Sequence, residues 1–221
     1  MIKLYQGDCL EVMDKLIEQG VKVDAIITDP PYLIQYKTNR RKNKNHEFCS
    51  QIKNDKEFNY EYLFNKFNLI LKDNCPIYIF GSWKTEPYFR ERLERHFKHK
   101  NNIIWVKNNW TAGDLKAQYG QQYELIMLYN KGRSKFKEKR YSDVWNFNKI
   151  VGNKQLHQNQ KPVSVIERIV SNSTNENDLI LDCFMGSGTT GVACKKLNRN
   201  FIGIELDEKY YNIAKERIDD I

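Results

Sequence analysis

The chain has 221 residues, 13% of them aromatic, with 36 Lys and Arg against 28 Asp and Glu and a formal net charge of +8. That length supports one substantial core with an embellishment rather than two domains, and the positive balance favours a polyanionic partner, either nucleic acid or an acidic membrane face. No run approaches the roughly 18 apolar residues of a membrane span, the start Met1-Ile2-Lys3-Leu4-Tyr5 lacks a signal peptide's apolar segment, and Cys9, Cys49, Cys75, Cys183 and Cys194 form no C-x-x-C pair, so a cytoplasmic protein with reduced, mostly packed thiols is expected.

Short apolar runs recur along the chain with helical segments between them. Ile2 to Tyr5 opens the series, and Leu10, Met13, Leu16 and Ile17 then mark one helix face between Cys9 and Glu18, with Gly20 as its stop. Val23 to Thr28 is the next strand-like run, followed in residues 58–72 by Tyr62, Leu63, Phe67, Ile70 and Leu71 at helical spacing. Ile77 to Phe80, Ile103 to Val106 and Leu125 to Tyr129 read as further strands. Pro162 begins a helix through Val165, Ile166, Ile169 and Val170, before the runs Leu179 to Leu181 and Phe201 to Ile204. Apolar runs without in-and-out alternation, separated by helices, predict a doubly wound, mostly parallel α/β sheet.

Two polar segments interrupt this pattern. Residues 33–57 begin with Lys37, Arg40, Arg41, Lys42 and Lys44 before any acid, and residues 131–157 begin with Lys131, Arg133, Lys135, Lys137, Lys139 and Arg140 against Glu138 alone. A single such run is as often a solvated loop as a ligand contact. Two of them in a basic chain, interleaved with Tyr36, Phe48, Phe136, Tyr141 and Trp145, point to phosphate contact with stacking on unpaired bases. Trp145 also fits a core position.

Near the other end, the strand Leu179-Ile180-Leu181-Asp182 runs into Cys183-Phe184-Met185-Gly186-Ser187-Gly188-Thr189-Thr190, where the glycines let the backbone turn tightly against a ligand before a helix starts near Thr189. No G-K-[ST] follows, so this is not a phosphate-binding P-loop, and the spacing does not match the dinucleotide fingerprint. Glu205, about 20 residues beyond the turn at the end of the next strand, fits a carboxylate that accepts both hydroxyls of a ribose.

Asp29-Pro30-Pro31-Tyr32 follows the Val23 to Thr28 strand directly. An aromatic exocyclic amine is a poor nucleophile because its lone pair is delocalised into the ring. Methylating it requires acceptors that hold the N–H bonds, which the Asp29 carboxylate and a backbone carbonyl can supply together. Pro30 and Pro31 stiffen the turn and aim its carbonyls, and Tyr32 offers a face for an extruded base. Such a base must leave the duplex first.

On these residues the chain resembles the S-adenosylmethionine-dependent DNA amino-methyltransferases, specifically the permuted β group, in which D-P-P-Y comes before the target-recognition region and F-x-G-x-G comes last. The resemblance covers nearly the whole chain. It implies a Rossmann-like methyltransferase sheet of seven strands, a mobile catalytic-side loop at 33–57, a target-recognition insert at 131–157, and contacts to double-stranded DNA by the basic residues of both segments. Tyr5-Gln6-Gly7-Asp8-Cys9-Leu10 is similar to the family's first strand end, which assigns Asp8 and Cys9 to the adenine of S-adenosylmethionine. His157-Gln158-Asn159-Gln160-Lys161-Pro162 is similar to an H-P-x-Q-K-P block whose Lys lies near the methionine carboxylate. Ser142-Asp143-Val144-Trp145 and Tyr123-Glu124 also match family positions, over short spans. With Asp29, Asp182, Phe184, Gly186, Ser187, Gly188, Thr189, Thr190 and Glu205, these complete the expected cofactor set. Cys183 and Gln158 replace prolines usual in the family.

The Asp in D-P-P-Y implies adenine N6 as the target, since cytosine-N4 enzymes typically carry Ser there. Carbon-5 methylation is disfavoured separately because the chain has no Pro-Cys dipeptide to supply a nucleophile. Cytosine N4, RNA or a Gln side chain as target, and a DNA-binding partner subunit without turnover, remain open on the sequence. The short insert suggests a homodimer. The recognition sequence, and whether a cognate restriction endonuclease accompanies the protein, are not legible.

Overall fold

The computed structural model describes residues 1–32, 58–110, 115–150 and 160–221. The expected loop at 33–57, with Lys37, Arg40, Arg41, Lys42 and Lys44, lies outside the described residues, as do residues 151–159 with His157. The elements run β1 (Ile2–Gln6), α1 (Cys9–Glu18), β2 (Ala25–Thr28), α2 (Tyr60–Ile70), β3 (Cys75–Gly81), α3 (Glu86–Leu93), β4 (Lys98–Val106), β5 (Tyr123–Lys131), β6 (Val144–Asn146), α4 (Val163–Ser173), β7 (Leu179–Asp182), α5 (Thr189–Lys196), β8 (Asn200–Glu205) and α6 (Glu208–Asp219).

The strands form one sheet of order β1-β8-β7-β2-β3-β5-β4-β6. All neighbours pair in parallel except β5, which is antiparallel to both β3 and β4. The expectation of seven strands omits β6. Its three residues alternate exposed and buried around Trp145 and pair with β4, which is too short a pattern to stand out in the sequence.

Both faces of the sheet are covered at its centre, which explains the apolar runs of β2, β3, β5 and β7. Successive residues of the central strands enter opposite clusters. Ile26, Ile77, Ile79 and Met127 pack with Leu63 and Phe67 of α2, while Ala25, Ile27, Tyr78, Phe80 and Ile126 pack with Ile166, Ile169 and Val170 of α4. Local signals end the helices where the sequence suggests. Asp8 caps α1 by accepting from the Leu10 amide at 2.8 Å, and Gly20 ends it at φ 73°, with the Gly20 and Val21 amides bonded back to Ile17 and Leu16.

The chain leaves β7 toward β8 on one side and leaves β2 toward β3 on the other, although β7 and β2 are hydrogen-bonded neighbours. The crevice outside the carboxyl ends of these two strands is therefore a topological switch point, where open α/β sheets bind ligands. Asp29 and the Gly186 turn leave the sheet side by side at this crevice. Because β5 runs the other way, its first residues, Tyr123 and Glu124, come back to the same end.

Candidate active site

On the β7 and β8 side, a buried carboxylate organises the backbone. Asp182, 4% exposed, accepts hydrogen bonds from Thr28 Oγ1 at 2.9 Å, Thr190 Oγ1 at 2.6 Å and the Phe184 amide at 3.1 Å. It ties the end of β2 to the end of β7 and to the first turn of α5. Burial pushes its carboxyl up to about 7 despite the three donors. Asp182 thus lies beneath the glycine turn with both oxygens engaged, which makes it a brace for that turn.

The turn itself is held from several directions. Gly186 and Gly188 have φ of 51° and 78°, and a Cβ on Gly188 would stand 2.8 Å from the Cβ of Ala214 in α6. Only glycine meets both demands at residue 188 without strain. Ser187 is buried, with its hydroxyl 3.0 Å from an Arg217 guanidinium nitrogen. Thr189 and Thr190 are buried at the start of α5, and the ring of Phe184 meets that of Phe58 edge-on at 5.4 Å.

Glu205 ends β8 opposite the turn. One carboxylate oxygen accepts the Gly186 amide at 2.9 Å and the other the Asp207 amide at 2.8 Å, while burial holds the group above the usual carboxylate range. Each oxygen keeps a further lone pair, so the fixed carboxylate can still accept from a diol. The Gly7 amide bonds to the Glu205 carbonyl at 2.9 Å, which sets Asp8 and the buried Cys9 beside it. Burial raises the Cys9 and Cys183 thiols well above their ordinary value, so both stay protonated. A two-glycine turn whose Ser187 hydroxyl is engaged by Arg217, facing a backbone-anchored carboxylate at a switch point, fits an adenosyl group.

On the β2, β3 and β5 side the site is a charge network. The Tyr32 hydroxyl lies 2.6 Å from Asp29 Oδ1 and 2.8 Å from Glu124 Oε1, and its one proton is shared between them. Lys161 Nζ lies 2.7 Å from Asp29 Oδ2 and also bonds Glu124 Oε1, while Lys107 Nζ lies 2.7 Å from Glu124 Oε2. Tyr60, within an aromatic cluster with Phe64, Tyr88 and Phe89, donates to the Pro31 carbonyl and pins the Pro-Pro turn.

Two lysines serve two carboxylates unequally. Burial alone would raise Glu124, but Lys161 and Lys107 outweigh it and hold the group at about 2. Asp29 has only Lys161, so burial, helped by the neighbouring Glu124 charge, leaves it above the ordinary aspartate value. Burial opposes the Lys161 ammonium, yet Asp29 and Glu124 lift it to about 12. Asp29 is therefore the more basic of the two carboxylates, and a quarter of its side chain reaches solvent.

The structure brings Asp29, Tyr32 and Lys161 together, with Lys161 directly on Asp29. Glu124, Lys107 and Tyr60 complete the network, and the sequence reading undervalued all three. A signal existed for one of them: Glu124 stands at the start of an apolar run buried on both faces, where an unpaired charge is costly.

The basic run Arg133, Lys135, Lys137, Lys139 and Arg140 is not brought to this site. It follows the far end of β5, nine residues from the cleft, or about 27 Å along the strand. The Lys137, Glu138 and Lys139 amides dock there on Asn172, near the C-terminus of α4. Trp145 is core, 5% exposed, with its indole N–H bonded to the Ser142 carbonyl at 2.6 Å.

Fold and site together describe a doubly wound α/β sheet whose switch point sets the glycine turn and Glu205, at β7 and β8, beside a buried charge network at the end of β2. The family model for DNA methylases of the N6_N4_Mtase type matches residues 23–216, and the chain belongs to this family. It is 32% identical to the type II methyltransferase M2.LlaDCHI of Lactococcus lactis subsp. cremoris, over 97% of this chain and 88% of that one. It is likewise 32% identical to M2.MboI of Moraxella bovis, over 99% and 88%. The crystal structure of an M1.HpyAVI-SAM complex superposes with a TM-score of 0.80 at 34% identity, covering 99% of this chain and 100% of that one. The cytosine-N4-specific PvuII DNA methyltransferase shares the fold at 17% identity with a TM-score of 0.70.

Proposed function

We propose that this DNA methylase transfers a methyl group from S-adenosylmethionine to N6 of an adenine flipped out of double-stranded DNA. The observation that carries the reading is Asp29 at the switch point, next to the glycine turn and Glu205 and kept more basic than Glu124. Glu205 would hold the ribose hydroxyls, Asp8 and Cys9 the adenine, and Phe184 with the Gly186-Ser187-Gly188 backbone the rest of the cofactor. When bound, S-adenosylmethionine supplies a methyl on a sulfonium sulfur, a carbon that an amine can attack without a covalent enzyme intermediate.

The chain's own residues hold the nucleophile. Asp29 accepts one N–H of the adenine amine and the Pro30 carbonyl the other, since the Pro31 carbonyl is already engaged by Tyr60. This localises the nitrogen lone pair toward the cofactor. As the N–C bond forms, one N–H proton must leave, and Asp29 is placed to receive it. Tyr32, tethered through its hydroxyl, sets its ring at the mouth of the cleft for the base to stack on. Lys161 acts through Asp29 by fixing its orientation.

We assign phosphate contact to the run Lys37, Arg40, Arg41, Lys42 and Lys44, which directly follows Tyr32 in the sequence, rather than to the run beyond β5. The names of the relatives as type II methyltransferases extend the reading to a cognate restriction endonuclease, and a small recognition element extends it to a homodimer. The test is incubation with methyl-labelled cofactor and unmethylated duplex DNA, followed by digestion to nucleosides. Label in N6-methyladenine is expected. Label in N4-methylcytosine overturns the base assignment, and label in RNA alone overturns the substrate.

A further inference from the structure

The chain has four tryptophans. Trp105 and Trp145 are buried, each with its indole N–H bonded to a backbone carbonyl. Trp83 and Trp110 are exposed, and both follow strands that end at the same edge of the sheet as Asp29.

Trp110 belongs to the β4–β5 connection, whose base is built into the catalytic network. The Lys107 amide bonds the Gln122 carbonyl at 2.8 Å and the Gln122 side chain bonds the Lys107 carbonyl at 2.9 Å, closing the connection. From that closure Lys107 Nζ reaches Glu124, and Glu124 reaches Tyr32 and Lys161. Above this root Trp110 is 68% exposed, Leu115 85% and Tyr119 99%. Three large apolar side chains exposed along one connection rooted in the charge network offer a surface for a partner.

Resting on the DNA-methylase reading, we infer that Trp110 and Tyr119 form an aromatic wedge that enters the duplex stack and occupies the space left by the flipped adenine. Removing a base from the stack costs stacking and pairing energy, and inserted apolar side chains offset that cost in proteins that open base steps. A base–aromatic stack is worth about 1–3 kcal/mol, or roughly five- to 150-fold in the flipped population. The two residues position the substrate and leave Asp29, Tyr32 and the cofactor shelf untouched.

The test uses the full chain and a synthetic duplex carrying the site that sequencing of DNA modified by this protein identifies. In one duplex 2-aminopurine replaces the target adenine, and in another an abasic site replaces the opposing thymine. With the unaltered protein, 2-aminopurine fluorescence rises on binding. With W110A/Y119A the rise is lost and the methylation rate on the paired duplex falls about tenfold or more, while the abasic duplex, already half open, restores the rate. W110F/Y119F retains both signals. An undiminished fluorescence rise in the alanine variant, or a rate loss that the abasic site fails to restore, overturns the wedge. Absence of methylation by the unaltered protein, by contrast, sinks the DNA-methylase reading itself.

Discussion

The two ends of the sheet hold charge in different ways. At the carboxyl ends of the parallel strands, Asp29, Glu124, Lys161 and Lys107 are few, largely buried and paired atom to atom. At the opposite end, Arg133, Lys135, Lys137, Lys139 and Arg140 are many and mostly exposed, and their backbone rather than their charge is anchored. The first arrangement fixes a geometry in a low dielectric, which catalysis requires. The second raises a potential that salt screens. The two ends therefore differ in kind: one fixes a geometry, the other a field.

Asp29→Ala tests the first end most severely. Methyl transfer should fall by about 10³-fold or more while cofactor binding, read by calorimetry, stays near normal, because the amine loses its acceptor and the shelf at Glu205 does not. Equal loss of both would mean that Asp29 serves the cofactor instead.

Next in size is Glu124→Gln, which leaves two lysines facing a neutral amide. Breaking a buried pair of this kind costs about 3–5 kcal/mol, visible as a lowered urea midpoint. Its pH signature has a definite sign. Glu124 is depressed to about 2, so its contribution is present above the ordinary glutamate value of 4.5 and is lost as pH falls through 2. The variant should therefore unfold less steeply in acid.

Asp182 should show the reverse. Its folded value of about 7 lies above the ordinary 3.8, so stability is fully present below 3.8 and is lost as pH rises through 7. Asp182→Asn should remove that neutral-side decline in a thermal-melting series from pH 4 to pH 8. Gly188→Ala comes next, with a loss of about 1–3 kcal/mol from backbone strain and the contact with Ala214. The smallest effect is expected at the opposite end. Arg133→Ala with Lys135→Ala should change the methylation rate less than about twofold and leave the salt dependence of DNA binding unchanged. A reduced salt slope would overturn the contrast between the two ends and return that run to the DNA interface.

Much of the architecture was legible because its causes are local. Every strand but β6 and the helices α1, α2 and α4 followed from apolar periodicity, with Gly20 and Pro162 marking boundaries. The helices α3 and α6 were not foreseen, and they bury little: Phe89 and Leu93 in one, Ala214 and Ile218 in the other. The site was legible where a short motif carries its own geometry, as in Asp29 to Tyr32 and Gly186 to Gly188. It was illegible where residues meet only through the sheet. Nothing near Glu124 in the chain indicates that Lys161 and Lys107 will neutralise it.

The sequence by itself determined the fold class, the Pro-Pro turn and the glycine turn, because apolar periodicity and backbone freedom act over a few residues. The tertiary structure decided which charges became partners and that the basic run after β5 lies at the end of the sheet away from Asp29. Those outcomes depend on strand order and on the reversed direction of β5, which carries Glu124 into the cleft and the lysines beyond it away.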